Sequence, residues 1–73
     1  MKYTVIIEKG NESGYVAYAP VLKGCVSQGK TKAEATRNIR EAMEAYIAAL
    51  LEDDLPIPTE VGKDTVELEV APK

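Results

Sequence analysis

At 73 residues the chain has room for one domain, residues 1–73, and folding removes only roughly 60–65% of the surface of so short a chain from water. One cysteine excludes an internal disulfide, and with no histidine a zinc site built from Cys and His within one chain is excluded too, so no metal or cofactor is expected. A net charge of -3, from nine Lys and Arg against twelve Asp and Glu, disfavours nucleic-acid binding by this chain alone; with no signal peptide and no apolar run near the ~20 residues of a membrane span, a cytoplasmic protein is the expectation.

Residues 2–8 alternate, with Tyr3, Val5 and Ile7 on one side and Thr4, Ile6 and Glu8 on the other, which predicts a strand. Gly10, Asn11, Ser13 and Gly14 supply a turn of hairpin length. Residues 15–19 form the second predicted strand, stopped by Pro20, which has no N–H to give a ladder. After the turn Val21-Leu22-Lys23-Gly24, residues 25–28 make a short third strand, and the short connections predict an antiparallel meander.

Thr31 and Glu34 stand three apart, as a capping box requires, and open the one predicted helix. Ala35, Ile39, Ala42, Met43, Tyr46, Ile47 and Leu50 then recur as an amphipathic stripe, while Lys32, Arg37, Arg40, Glu41 and Glu44 occupy the other face. Pro56 and Pro58 forbid continuation past about Glu52, for a length of roughly 30 Å. Glu52, Asp53 and Asp54 fall where the helix dipole is negative, at a cost of ~0.3–1 kcal/mol each. They read either as a solvated surface or as an acidic corner for a basic partner. A final strand, starting at Val61 or Thr65 and ending at Val70, is predicted with Val66, Leu68 and Val70 inward and Glu67 and Glu69 outward. A crossover through the helix lays it parallel to a strand of the sheet. One helix covers one face of such a sheet, so the other face, with Ile6 and members of the Tyr15, Val16, Tyr18 run, is expected to drive self-association into a homodimer or homotetramer.

Gly24 to Thr31 also spells G-x-x-x-x-G-K-T, the pattern of a nucleotide-binding loop. The match is read as accidental. Residues 25–28 include apolar positions with strand spacing, the upstream residues form a turn, and Thr31 already serves as a helix cap. Cys25 and Ser27 have no histidine to activate them, and no carboxylate has an apolar setting that would fit it for acid–base work. Tyr3, Tyr15 and Tyr18 lack the interleaved basic residues of a base-stacking platform. No catalytic residue is therefore expected, and turnover of ATP or RNA that Lys30→Ala abolished would overturn that expectation.

The run GYVAYAPVLKGCVSQGKT, followed by Glu34-Ala35, Asn38, Arg40-Glu41-Ala42, Tyr46, Leu50 and Leu55-Pro56-Ile57-Pro58, resembles the HicB-type antitoxin domain, and Tyr3-Thr4-Val5-Ile6 fits as well. The resemblance implies an α+β, partial ribonuclease H-like β-β-β-α-β fold: three antiparallel strands, one amphipathic helix on one sheet face, and the final strand beside the first. It implies no nuclease activity, since Glu8 is the only acid in the first strand. It implies a partner, a small basic HicA-like toxin that cuts messenger RNA, whose catalytic and RNA-binding surfaces the antitoxin masks. Many such antitoxins carry a further carboxy-terminal DNA-binding segment; this chain stops at Lys73, so operator binding by it alone is not expected. Val21 and Lys23 stand where many relatives have Asp and Pro. The candidate partner-binding residues are the acidic corner Glu52, Asp53 and Asp54 with the outward Glu67 and Glu69. The alternative is an orphan oligomeric interaction domain of the same type with no toxin partner.

Overall fold

A computed structural model describes residues 2–60 and 66–72. The elements run β1 (Ile6–Lys9), β2 (Tyr15–Tyr18), β3 (Val26–Gly29) and α1 (Lys32–Glu52), and the sheet is an antiparallel meander of order β1-β2-β3. This is the predicted α+β arrangement as far as the helix.

The first strand is shorter than the alternation suggests, because its neighbour runs out. Ile6 faces Tyr18 across the ladder; beyond Tyr18, the Ala19 N–H turns away to the Cys25 carbonyl, and Pro20 has no N–H. Residues 2–5 precede the paired part of β1 and are not themselves in a strand. The turn into β3 is closed by Leu22 N–H to Ala19 O and Cys25 N–H to Leu22 O, each at 3.0 Å, and it drives the Leu22 side chain to zero exposure. Sequence pattern marked Leu22 only as a turn residue; it is a core residue.

The core is Ala17, Ala19, Leu22, Cys25, Ala35 and Ile39, with Tyr3, Val5, Ile7, Tyr15, Ala42, Met43 and Tyr46 packed around it. It sits beneath the amino-terminal half of α1. Four-residue strands are only about 13 Å long, so a helix of roughly 30 Å overhangs them. The helix lies mainly over β3 and β2 and only its flank reaches β1.

Gly29 is what lets the helix start so close to the sheet. A Cβ there would lie 2.5 Å from the Ala35 nitrogen and 2.8 Å from the Glu34 carbonyl carbon, both of them backbone. Asn38 reaches from the helix to donate to the Gln28 carbonyl at 2.7 Å, which ties α1 to edge strand β3.

The expected final strand differs. Its starting residues, Val61 or Thr65, lie outside the described residues; residues 66–70 are not in a strand, and Val66, Leu68 and Val70 are 76%, 80% and 85% exposed instead of inward. A run of five residues gains strand structure only by pairing with a sheet edge, and among the described residues the sheet consists of β1, β2 and β3 alone.

Candidate functional site

The region read as a nucleotide loop is a strand and a helix cap. Val26–Gly29 pairs residue by residue with Tyr15–Tyr18, so its backbone is extended in a ladder and does not curl into an anion cradle. The Thr31 hydroxyl accepts from the Glu34 N–H at 3.1 Å, and the Glu34 carboxylate accepts from the Lys30 N–H at 2.9 Å. The box thus reaches back one residue further than its simplest form. Cys25 is buried, and burial pushes its thiol above the ordinary range, which makes it less nucleophilic.

What remains is surface, in three patches. The first is the sheet face away from α1. Ile6, Tyr18 and Val26 lie side by side across the three strands, with Glu8, Val16 and Gln28 forming the next row. Ile6 and Val26 are exposed, and the Tyr18 hydroxyl donates to Glu8 at 3.1 Å. That bond, and the negative charge beside it, hold the phenol above its usual ionisation range. Of the Tyr15, Val16, Tyr18 run, Val16 and Tyr18 supply this face, while Tyr15 packs on the core side, where the Lys32 ammonium stands 5.9 Å from its ring centroid.

The second patch is the carboxyl end of α1. Asp53 is the C-cap, and Asp54 follows with φ 56, in the left-handed region that favours glycine. Asp54 N–H bonds to Leu51 O at 3.2 Å and Leu55 N–H to Leu50 O at 2.9 Å, the paired closure of a Schellman motif. Glu52, Asp53 and Asp54 are all exposed, and Leu51 and Leu55 beside them are exposed as well. The corner is acidic with an apolar rim.

The third patch is the exposed stretch 66–70, which carries Glu67 and Glu69. The structure thus puts the first three candidate acids together at a helix end and leaves the other two on a separate arm. Sequence reasoning missed how the chain leaves the helix. Tyr3 donates through its hydroxyl to Pro58 O, and Thr4 donates its N–H and hydroxyl to the two carboxylate oxygens of Glu60, the hydroxyl at 2.9 Å. No spacing could have announced these bonds, since 55 and 56 residues separate the partners. Among the described residues no helix is long and apolar enough to cross a membrane.

Comparison with known proteins accords with the geometry. Residues 3–70 match the family described as the HicB_like antitoxin of bacterial toxin-antitoxin systems. A UPF0150 protein of Synechocystis is 52% identical over 58 residues, which is 80% of this chain and 73% of that one. A UPF0150 protein of Thermoplasma acidophilum is 52% identical over 64 residues, 88% of this chain and 93% of the relative. Antitoxin HicB 1 of Photorhabdus laumondii is 34% identical over 70 residues, which cover 93% of this chain but 45% of that protein. On the breadth of the match, from the first core tyrosine to the end of the exposed arm, the chain belongs to the HicB-like antitoxin family.

Proposed function

We propose that this chain is a non-catalytic antitoxin module that binds and masks a small basic, mRNA-cleaving toxin of HicA type in the cytoplasm. On this reading the β-β-β-α unit is the frame of a partial ribonuclease H-like domain used only as a surface. The observation that carries the reading is the acidic corner. Glu52, Asp53 and Asp54 stand against the helix dipole, and Asp54 adopts a backbone conformation better suited to glycine, so three acids are kept where folding disfavours them. Exposed Leu51 and Leu55 flank them, giving an apolar centre with a charged rim. Such a surface suits a basic protein, because complementary charge speeds and orients encounter.

The test is titration of purified toxin of this type with the chain, read as RNA cleavage. Stoichiometric inhibition is expected. The triple variant Glu52→Lys, Asp53→Lys, Asp54→Lys should slow association by about tenfold or more at low salt, with the difference shrinking as salt rises. Full inhibition by the reversed-charge variant would move the toxin surface elsewhere, and no inhibition by the unmodified chain would refute the reading.

A second reading, an interaction domain of the same family that assembles with itself and has no toxin, draws on the Ile6–Tyr18–Val26 row left uncovered by the helix. A genome with no small basic toxin gene beside this one would favour it.

A further inference from the structure

The chain leaves α1 by a path that is tied down at both ends. At its start the Leu55 N–H bonds to the Leu50 carbonyl at 2.9 Å, which fixes Leu55 against the last turn of the helix. Pro56 and Pro58 follow. Each ring sets its own φ and disfavours helical backbone at the residue before it, here Leu55 and Ile57. Residues 55–58 thus bridge roughly 10 Å as a stiff rod and not as a coil. At the far end the Tyr3 hydroxyl donates to the Pro58 carbonyl, and the two carboxylate oxygens of Glu60 accept from the Thr4 N–H and hydroxyl.

Among the described residues Glu34 and Glu60 are the half-buried carboxylates, and each accepts a backbone N–H. Glu34 steadies the start of the helix, and Glu60 steadies the chain that leaves it. Burial does not explain the second arrangement, because the segment so held carries Leu55 at 51% exposure, next to exposed Asp53 and Asp54. Binding does explain it. A surface segment that is ordered beforehand loses less freedom when a partner docks on it.

We propose that Tyr3, Thr4 and Glu60 are positioning residues for the partner surface at the end of α1. With the two prolines they make residues 55–60 a strap that holds Leu55 and the acidic corner in the arrangement the partner meets. They act through Leu55 and the corner and do not themselves touch the partner. The proposal rests on the toxin-masking reading and adds to it the residues that keep the masking surface in shape. The partner is the small basic protein of that reading, matched in charge to Glu52, Asp53 and Asp54.

The test uses the full chain with Tyr3→Phe and Thr4→Val together, which removes both hydroxyl donors without changing any charge and keeps the ring and the branched side chain. Amide hydrogen exchange is read by NMR, and inhibition is read as RNA cleavage by purified HicA-type toxin. The Leu55 amide should exchange about tenfold faster, while the Ala35 amide, bonded to the Thr31 carbonyl at the helix start, stays within about twofold. Inhibition should weaken about tenfold, equally at low and high salt, which separates lost order from lost charge. Glu60→Ala, which frees both Thr4 donors, should repeat the exchange pattern. A Leu55 amide still protected in both variants would overturn the proposal. So would equal acceleration at Ala35, which would make these bonds general supports of the fold, and so would faster Leu55 exchange with undiminished inhibition. Failure of the unmodified chain to inhibit would refute the toxin reading and the proposal with it, whereas failure of the variants to differ from the unmodified chain refutes the strap alone.

Discussion

The two ends of α1 are built on opposite principles. At the amino end every local device agrees: Thr31 caps, Glu34 reaches back, Gly29 lets the first turn settle on the sheet, and Ala35 and Ile39 enter the core. At the carboxyl end the charges oppose the dipole, the last turn has no basic residue, an aspartate occupies the left-handed position, and the leucines are exposed. The bonds of the Schellman motif still form, so the end is well defined. The difference teaches where selection for stability stops acting alone. One end holds the domain together, and on the proposed reading the other meets a partner.

Substitutions at the two ends should therefore move stability and binding separately. The largest effect is expected from Gly29→Ala, which sets a Cβ against helix backbone and costs about 3 kcal/mol in denaturant unfolding, a large share of the roughly 4–11 kcal/mol available to a chain of this length. Next, Thr31→Ala removes a cap and costs about 1 kcal/mol, with no change in toxin inhibition for the fraction that remains folded. At the other end the sign reverses: Asp54→Gly relieves both the left-handed backbone and one opposing charge, and should raise stability by about 1 kcal/mol while weakening inhibition of a basic toxin. Loss of stability in Asp54→Gly, or inhibition left unchanged, would erase the contrast between the ends.

The smallest expected effect is alkaline. The folded state holds the Cys25 thiol protonated to higher pH than the unfolded chain does, so stability is flat below about pH 8 and falls as pH rises through the thiol range. The Tyr18 phenol is raised too and extends the same loss to higher pH. Thermal melts in which Cys25→Ala removes the earlier part of this decline would confirm the assignment.

Much of the frame was legible because it rests on local chemistry. The helix bounds follow from Thr31 at one end and the prolines at the other, and the meander from turns rich in glycine and asparagine. The extended backbone within Gly24 to Thr31 was legible in the strand spacing of residues 25–28, one residue off the observed β3. Non-local effects were harder to read. The first strand was drawn too long because alternation cannot show where a neighbouring strand ends, and Leu22 was missed because turn composition hides burial. Residues 66–70 have the alternation of a strand yet are not in one, because alternation marks faces and says nothing of pairing. The candidate site was half legible: Glu52, Asp53 and Asp54 do share one corner, yet the left-handed backbone of Asp54 and the leucine rim belong to three-dimensional structure.

The close seat of the helix on Gly29 has a consequence for motif searching. Wherever a strand must hand over to a helix with almost no space between them, steric demand selects a bare α-carbon at the crossing and a hydroxyl two positions on to start the turn. A lysine between them has only to be soluble. The result spells the closing letters of a phosphate-gripping signature through geometry alone, so in small domains of this build those letters record a tight corner between two elements and say nothing of ATP.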